Sequence, residues 1–409
     1  MLSKVEKIES LLKKKTKNSK NYLYSQIIKN ERLKRHLTLE EMSKGICSIS
    51  YLCKLERNAI EPEETYVQAI FERVNLDYKK VGKNILEDGI NVILKAYLYQ
   101  QYQEIENLYE SMDNSIFNVF NHFVKALYFL IKKDYQEFQS IITTLDKIKD
   151  TLLRDDIGIL IFLVSEYYIK TFQFREAYKH LLYIRNEKFE SEELNWLIYE
   201  QHFLVGYHLK KYAMAWKYYD QLMKNINIGY PTKRQTIIRL MFLAITAEEY
   251  YEEAEKEVNQ LHLDTLDQDY KAELLYWKLI ILSKGGNYLK IYEEIMNHQL
   301  TYDIRFLCLL LYAADFIKDD SYKQQAKELA EKFEFQPSDS FHQKFVRFML
   351  LKYSEEKRHL VIEYLKYNIF PSKHLFYHHI YSPAYEEYYL DFLCKTSKYK
   401  EALSFYRGK

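Results

Sequence analysis

The chain has 409 residues, with 59 Lys plus Arg against 58 Asp plus Glu, nine glycines, five prolines and forty tyrosines. That length allows two or three domains with substantial cores, and the scarcity of the two strongest helix breakers points to an almost all-α protein. Cys47, Cys53, Cys308 and Cys394 form no CxxC or Cys/His cluster and no apolar run approaches a membrane span, which argues against a disulfide framework, a zinc site and a membrane protein.

Charge is unevenly placed. Residues 1–60 carry fourteen Lys plus Arg against six Glu, a balance of +8, while the remaining residues sum to −7. A basic head on an acidic body suits a phosphate-binding domain joined to a module that does not bind nucleic acid. Leu2, Val5, Ile8 and Leu11 would form one helical stripe, and the run Lys13 to Lys20 holds five lysines and no acid. Residues 1–20 are expected to be a basic arm or helix, either solvated or in contact with DNA phosphates. The N-terminus lacks a signal-peptide core, so a cytoplasmic location is expected.

Tyr22 to Arg35 is predicted as a helix with Ile27, Ile28 and Leu33 inward. Thr38 with Glu41 three residues on is a capping-box spacing, and Gly45 stands where the chain must leave the short helix that follows. Ser48 is the next N-cap. In the helix it opens, Leu52 and Leu55 face inward while Ile49, Ser50, Tyr51 and Lys54 face out, the shape needed to enter a major groove. Asn58 stops this helix, and Pro62 precedes another over 63–74. The pattern is a helix-turn-helix domain, bounded at 21–80. A connection is expected near 81–86.

The run from Ile28 to Leu76 resembles the lambda-repressor and Cro class of helix-turn-helix domains. The segment KGICSISYLCKLE, Lys44 to Glu56, is similar to the PlcR and Rgg branch of peptide-responsive bacterial regulators. Cys53 and Asn58 depart from that pattern, where a small residue and a glycine are usual; Asn tolerates the same positive φ. The resemblance implies DNA binding by Ser48, Ile49, Ser50, Tyr51 and Lys54, with Arg32, Arg35, Lys44 and Arg57 on phosphates. It also implies a homodimer, a short signalling peptide as ligand, and no cofactor.

From about residue 85 to 409 an aromatic followed by an apolar stripe recurs at Tyr102, Tyr135, Phe174, Tyr212, Tyr251, Tyr288, Tyr322 and Tyr399. Successive steps are 33, 39, 38, 39, 37 and 34 residues, with room for one degenerate unit near Tyr353 to Tyr364. Each period fits two amphipathic helices. The aromatic-x-x-Ala of Phe174/Ala177, Tyr212/Ala215, Tyr251/Ala254 and Tyr399/Ala402 resembles the tetratricopeptide repeat, although the Trp-x-x-Leu-Gly of its first helices is largely missing. That resemblance implies a right-handed helical solenoid with a concave face.

In that register Phe162, Glu166, Glu200, Leu204, Tyr207, Thr236, Arg239, Glu273 and Tyr276 fall on the inner wall, where an extended peptide would meet aromatics and carboxylates. Asn195 and Gln201 offer amides to a ligand main chain. His374, His378 and His379 lack carboxylate or thiol partners at helical spacing, so no metal is expected there, and this Tyr- and His-rich end suits a subunit interface. No phosphate loop, nucleophile elbow or HExxH is present, so no enzymatic activity is expected. Two other functions fit the same sequence: a repeat scaffold that sequesters a partner, and a plasmid- or phage-type repressor with no small ligand.

Overall fold

The computed structural model describes Leu12 and residues 22–78, 89–112, 117–224, 229–260, 268–336, 340–354, 358–371 and 380–407. The N-terminal stripe and lysine run, the connection at 81–86 and the histidines 374, 378 and 379 therefore lie outside the described residues. Every regular element among the described residues is helical. None of these helices is long and apolar enough to cross a membrane.

The head contains α1 (Tyr22–Lys34), α2 (Leu39–Ser43), α3 (Ile49–Glu56) and α4 (Glu64–Arg73). The next helices are α5 (Gly89–Leu98), α6 (Tyr102–Ser111), α7 (Val119–Ile131), α8 (Tyr135–Lys147), α9 (Arg154–Lys170), α10 (Phe174–Leu181), α11 (Glu192–His208) and α12 (Tyr212–Lys224). They are followed by α13 (Thr232–Thr246), α14 (Tyr251–Asn259), α15 (Gln268–Lys284), α16 (Tyr288–Asn297), α17 (Ile304–Phe316) and α18 (Asp320–Lys332). The last are α19 (Ser340–Tyr353), α20 (Arg358–Tyr364), α21 (Tyr381–Lys395) and α22 (Tyr399–Arg407). A π-helical turn, Leu365–Ile369, extends α20.

The chain divides into two compact units, Met1–Thr171 with Glu176–Gln201, and Phe172–Arg175 with His202–Lys409. In the first unit the head has its own core: Ile27, Ile28, Met42, Leu52, Leu55, Val67, Ile70, Phe71 and Val74 are all buried. Behind it α5 to α9 pack in sequence, and α5 also touches α7 and α7 touches α9. In the second unit α12 to α19 repeat this scheme, with α13 on α15, α15 on α17 and α17 on α19. First helices that touch both their partner and the next first helix define a helix-pair solenoid, because one pair alone leaves an apolar face uncovered. The first helices are accordingly apolar on most sides: Phe306 to Leu311 of α17 are all buried.

Seven of the eight repeat aromatics are the first residue of a second helix. Tyr322 differs, standing third in α18, because Asp319 upstream caps that helix by accepting from the Ser321 amide at 2.9 Å. A shared turn sets the registry. Gln100, Lys133, Phe172, Lys210, Gly286 and Ser397, each two residues before its aromatic, have φ between 55° and 73°. At Gln101, Asp134, Lys211, Asn287 and Lys398 the amide reaches back five residues to a first-helix carbonyl. This is the Schellman closure, which satisfies orphan carbonyls and reverses the chain. Five of those six left-handed positions hold a residue other than glycine, and glycine scarcity hid them from the sequence.

The alanine of the repeat motif marks the closest approach of the paired helices. Ala177, Ala215 and Ala254 are buried, and a Cβ added at Gly206 would stand 2.9 Å from the Ala215 amide nitrogen and 3.2 Å from its Cα. Those are backbone atoms, so rotamer changes cannot relieve the overlap. Gly206→Ala is expected to destabilise the second unit by about 1–3 kcal/mol, read as an earlier urea midpoint. An unchanged midpoint would show that α11 and α12 can separate freely.

Candidate nucleic-acid interface and repeat-domain lining

The turn that leads into α3 is built by capping chemistry. The Thr38 hydroxyl accepts from the Glu41 amide at 3.1 Å while the Glu41 carboxylate accepts from the Thr38 amide at 2.7 Å. Those bonds hold the Glu41 carboxyl below the usual carboxylate range. Gly45 leaves α2 at φ 76°, and the Ser48 hydroxyl accepts from the Tyr51 amide at 3.1 Å to start α3. Asn58 ends the segment at φ 53°, where the Ala59 amide closes on the Lys54 carbonyl at 2.9 Å. Arg73, which sequence reasoning passed over, donates from Nη1 to the carbonyls of Glu41 and Met42 and so ties α4 to the end of α2.

On this frame Leu52 and Leu55 are fully buried, whereas Ile49 is 48% exposed and Ser50, Lys54, Lys44 and Arg57 are exposed. Ser48 is exposed too, but its hydroxyl is engaged as the cap. Tyr51 is half-buried. Its ring edge meets Tyr66 with centroids 4.9 Å apart, and its hydroxyl accepts from the Glu63 amide at 2.8 Å.

One expected phosphate contact, Arg32, needs correction. Arg32 donates from Nε and Nη2 to both Glu56 oxygens, at 2.6 and 2.7 Å, and from Nη1 to the Leu37 carbonyl. Its side chain is only 12% exposed, and the bond to Glu56 raises its pKa further. Arg35 donates to Glu31 at 3.2 Å and to the Val74 carbonyl at 2.5 Å. The Arg32 guanidinium is thus spent inside the head on a buried carboxylate, whereas Arg35 stays exposed with its side chain 38% accessible. Burial pushes the Cys47 thiol up, which leaves it protonated and inert at neutral pH.

The expected peptide lining is more closed than its register suggested. In the first unit Phe162 is fully buried, its ring edge on Tyr97. Glu166 accepts from the Tyr97 hydroxyl at 2.8 Å and from Gln201 Nε2 at 2.9 Å, and Gln201 also donates to the Phe162 carbonyl at 3.0 Å. Asn195 is spent on its own turn: Oδ1 accepts from the Phe189 amide, and Nδ2 donates to the carbonyls of Phe189 and Ser191. Phe162 is thus an interior residue, corrected from the wall, and the buried amides of Asn195 and Gln201 are spent within the unit and not offered to a ligand. Glu200 is partly exposed.

In the second unit Tyr207 and Tyr276 are buried, each edge-on to Trp277, and burial raises both hydroxyls. These two tyrosines are likewise corrected to packing positions. Arg239 is more than half exposed and pairs with Glu257 at 2.7 Å. Glu273 accepts from Trp277 Nε1 at 2.9 Å and from Arg305 Nη1 at 2.5 Å. Arg305 lies 5.2 Å from the Tyr276 ring centroid and also binds Asp303. Burial works against its charge, yet the two carboxylates hold its pKa above the ordinary value. Neither Arg305 nor Trp277 was anticipated. Arg305 stands about one repeat after Glu273, so a register carried one unit further would have found it.

Among the described residues no group of three His, Cys, Asp or Glu side chains could hold a metal ion. The architecture is that of a helix-turn-helix protein with helix-pair repeats. No family model matches the chain. Over 176 aligned residues it is 22% identical to the transcriptional activator NprA of Geobacillus stearothermophilus, covering 38% of this chain and 42% of that protein. The chain thus spans about two-fifths of that relative's length. It is also similar to Bacillus thuringiensis PlcR, solved in complex with the peptide PapR7 and DNA, at 15% identity and a TM-score of 0.31, over 83% of this chain and 98% of that one.

Proposed function

We propose that the chain is a cytoplasmic transcription regulator that binds double-stranded operator DNA as a homodimer and takes a short signalling peptide in its repeats. The observation that carries DNA binding is the exposed turn of α3, with Ile49, Ser50 and Lys54 at the surface of a head that has its own buried core. The +8 balance of residues 1–60 supplies the phosphate attraction. The aligned transcriptional activator supports the same role. Arg35, Lys44 and Arg57 are exposed cations that would meet phosphates, and the backbone start of α3 would add a helix N-terminus.

One recognition helix reads only a few base pairs, so two heads at fixed spacing are needed for useful specificity. The domains assigned are a head over 21–80 and a peptide-binding, dimerising region over 85–409. Peptide recognition rests on the Lys44–Glu56 resemblance and on the partly exposed Glu166, Glu200, Arg239 and Glu273. A peptide that binds one arrangement of the repeats better than another shifts the distance between heads, and a spacing mismatch alone weakens binding. No reaction is assigned to the chain.

Ser50→Ala combined with Lys54→Ala is expected to cost about 1–3 kcal/mol for each base contact removed, while affinity for random DNA falls far less. Fluorescence anisotropy on a selected operator measures both. Specificity retained by the double variant would remove α3 from the reading role. Calorimetry of the full chain against short secreted peptides encoded beside its gene tests the ligand; absence of heat with all of them favours a ligand-free repressor.

A further inference from the structure

A cleft of about 560 Å³ lies inside the first unit, between the end of α1, the start of α7 and the end of α8. That is the size of an ordinary small-molecule site. Its lining is strongly cationic: Lys34, Lys125 and Lys147 border it and make no ion pair among the described residues. The one acid on its wall, Glu31, is committed to Arg35 at 3.2 Å. Three ammonium-bearing side chains around one cavity leave a surplus of positive charge that a bound anion would offset.

The remaining walls carry a second kind of chemistry. Phe117 packs on the head core on one side and lies 4.5 Å from the His122 ring on the other, while Leu33 and Ile148 add apolar surface. His122 Nδ1 is 2.9 Å from the Asn118 carbonyl, which fixes that nitrogen as the donor and leaves Nε2 as an acceptor in the neutral ring. Flat apolar walls beside clustered cations suit a ligand with a ring at one end and several negative charges at the other. A plain inorganic anion would leave the apolar part of the cavity unfilled.

We propose that this cleft is an effector site for a phosphorylated, ring-bearing small molecule of nucleotide size, its phosphates bound by Lys34, Lys125 and Lys147. The site joins the head to the repeats. Lys29 of α1 already reaches Asp150, beyond the end of α8, at 3.3 Å, so a ligand between the same elements would strengthen that docking. The proposal is independent of the peptide assignment, since no peptide takes part in its test.

The full chain, free of DNA and magnesium, is titrated calorimetrically with adenosine triphosphate, guanosine triphosphate, adenosine and inorganic phosphate. Saturable one-to-one binding of a nucleoside triphosphate is expected, with inorganic phosphate much weaker and adenosine silent. Lys125→Glu with Lys147→Glu should weaken the nucleotide about ten- to a hundredfold; Lys147→Gln alone, at an exposed position, should weaken it less without a folding risk. No saturable binding of either triphosphate overturns the proposal, as does affinity unchanged by charge reversal. Inorganic phosphate binding as tightly as the nucleotides would overturn the ring-bearing class. Charge reversal that lowers DNA affinity but leaves nucleotide affinity intact would make these lysines DNA contacts instead.

Discussion

Arg32→Ala is expected to destabilise the head by about 3–5 kcal/mol, because it strands a buried carboxylate. Glu56 is 4% exposed, and its two oxygens accept from two nitrogens of one guanidinium. The pair also connects α1 to the end of α3, so its loss loosens the helix proposed to read DNA. The measurement is hydrogen exchange of the α3 amides across a urea series, which reports the head separately from the repeats. Arg32→Met with Glu56→Leu together should recover most of the loss, since a well-packed apolar pair often replaces a buried ion pair at little cost. A different outcome, with protection unchanged and the salt dependence of DNA binding reduced by about one phosphate contact, would return Arg32 to the DNA surface.

Tyr381→Ala should be comparably damaging to the second unit, at about 3–5 kcal/mol. The Tyr381 ring is fully buried and stacks on Phe345 with centroids 4.0 Å apart, and it lies beside Phe341 at 5.7 Å. Its hydroxyl stands 2.6 Å from His342 Nδ1. Burial raises the Tyr381 hydroxyl well above its ordinary pKa, so it is protonated at neutral pH and donates to the imidazole. Tyr381→Phe separates the two contributions: the ring stays, and the buried imidazole nitrogen loses its donor at a cost of about 1–3 kcal/mol. Thermal unfolding of the two variants should rank them in that order. Equal losses would mean that the hydrogen bond, and not the ring, holds α21 on α19.

The elements that could be read from the chain were those set by short-range physics. Thr38 with Glu41, Ser48 before α3 and Asn58 after it are bonds between residues a few positions apart, and the structure makes them. The repeat aromatics were legible because a helix-pair period is long enough to survive substitution at most positions. Helix ends were harder: left-handed positions such as Lys133 and Phe172 carry no glycine to announce them. The site residues were least legible. Arg32, Asn195 and Tyr276 have the residue types of binding positions, and each is engaged inside its own unit.

By itself, then, the sequence determined the all-helical class, the caps and turns around α3, the basic head and the repeat period, since each follows from local backbone chemistry or from composition. Only the tertiary structure decided which cations are spent and which are open. Arg32 meets Glu56 across 24 residues, while Lys34 two positions later borders a cleft with Lys125 and Lys147. The physical reason is that a charged side chain's role depends on the nearest opposite charge and on solvent. Both are properties of the packed chain, and neither is written at the residue's own position.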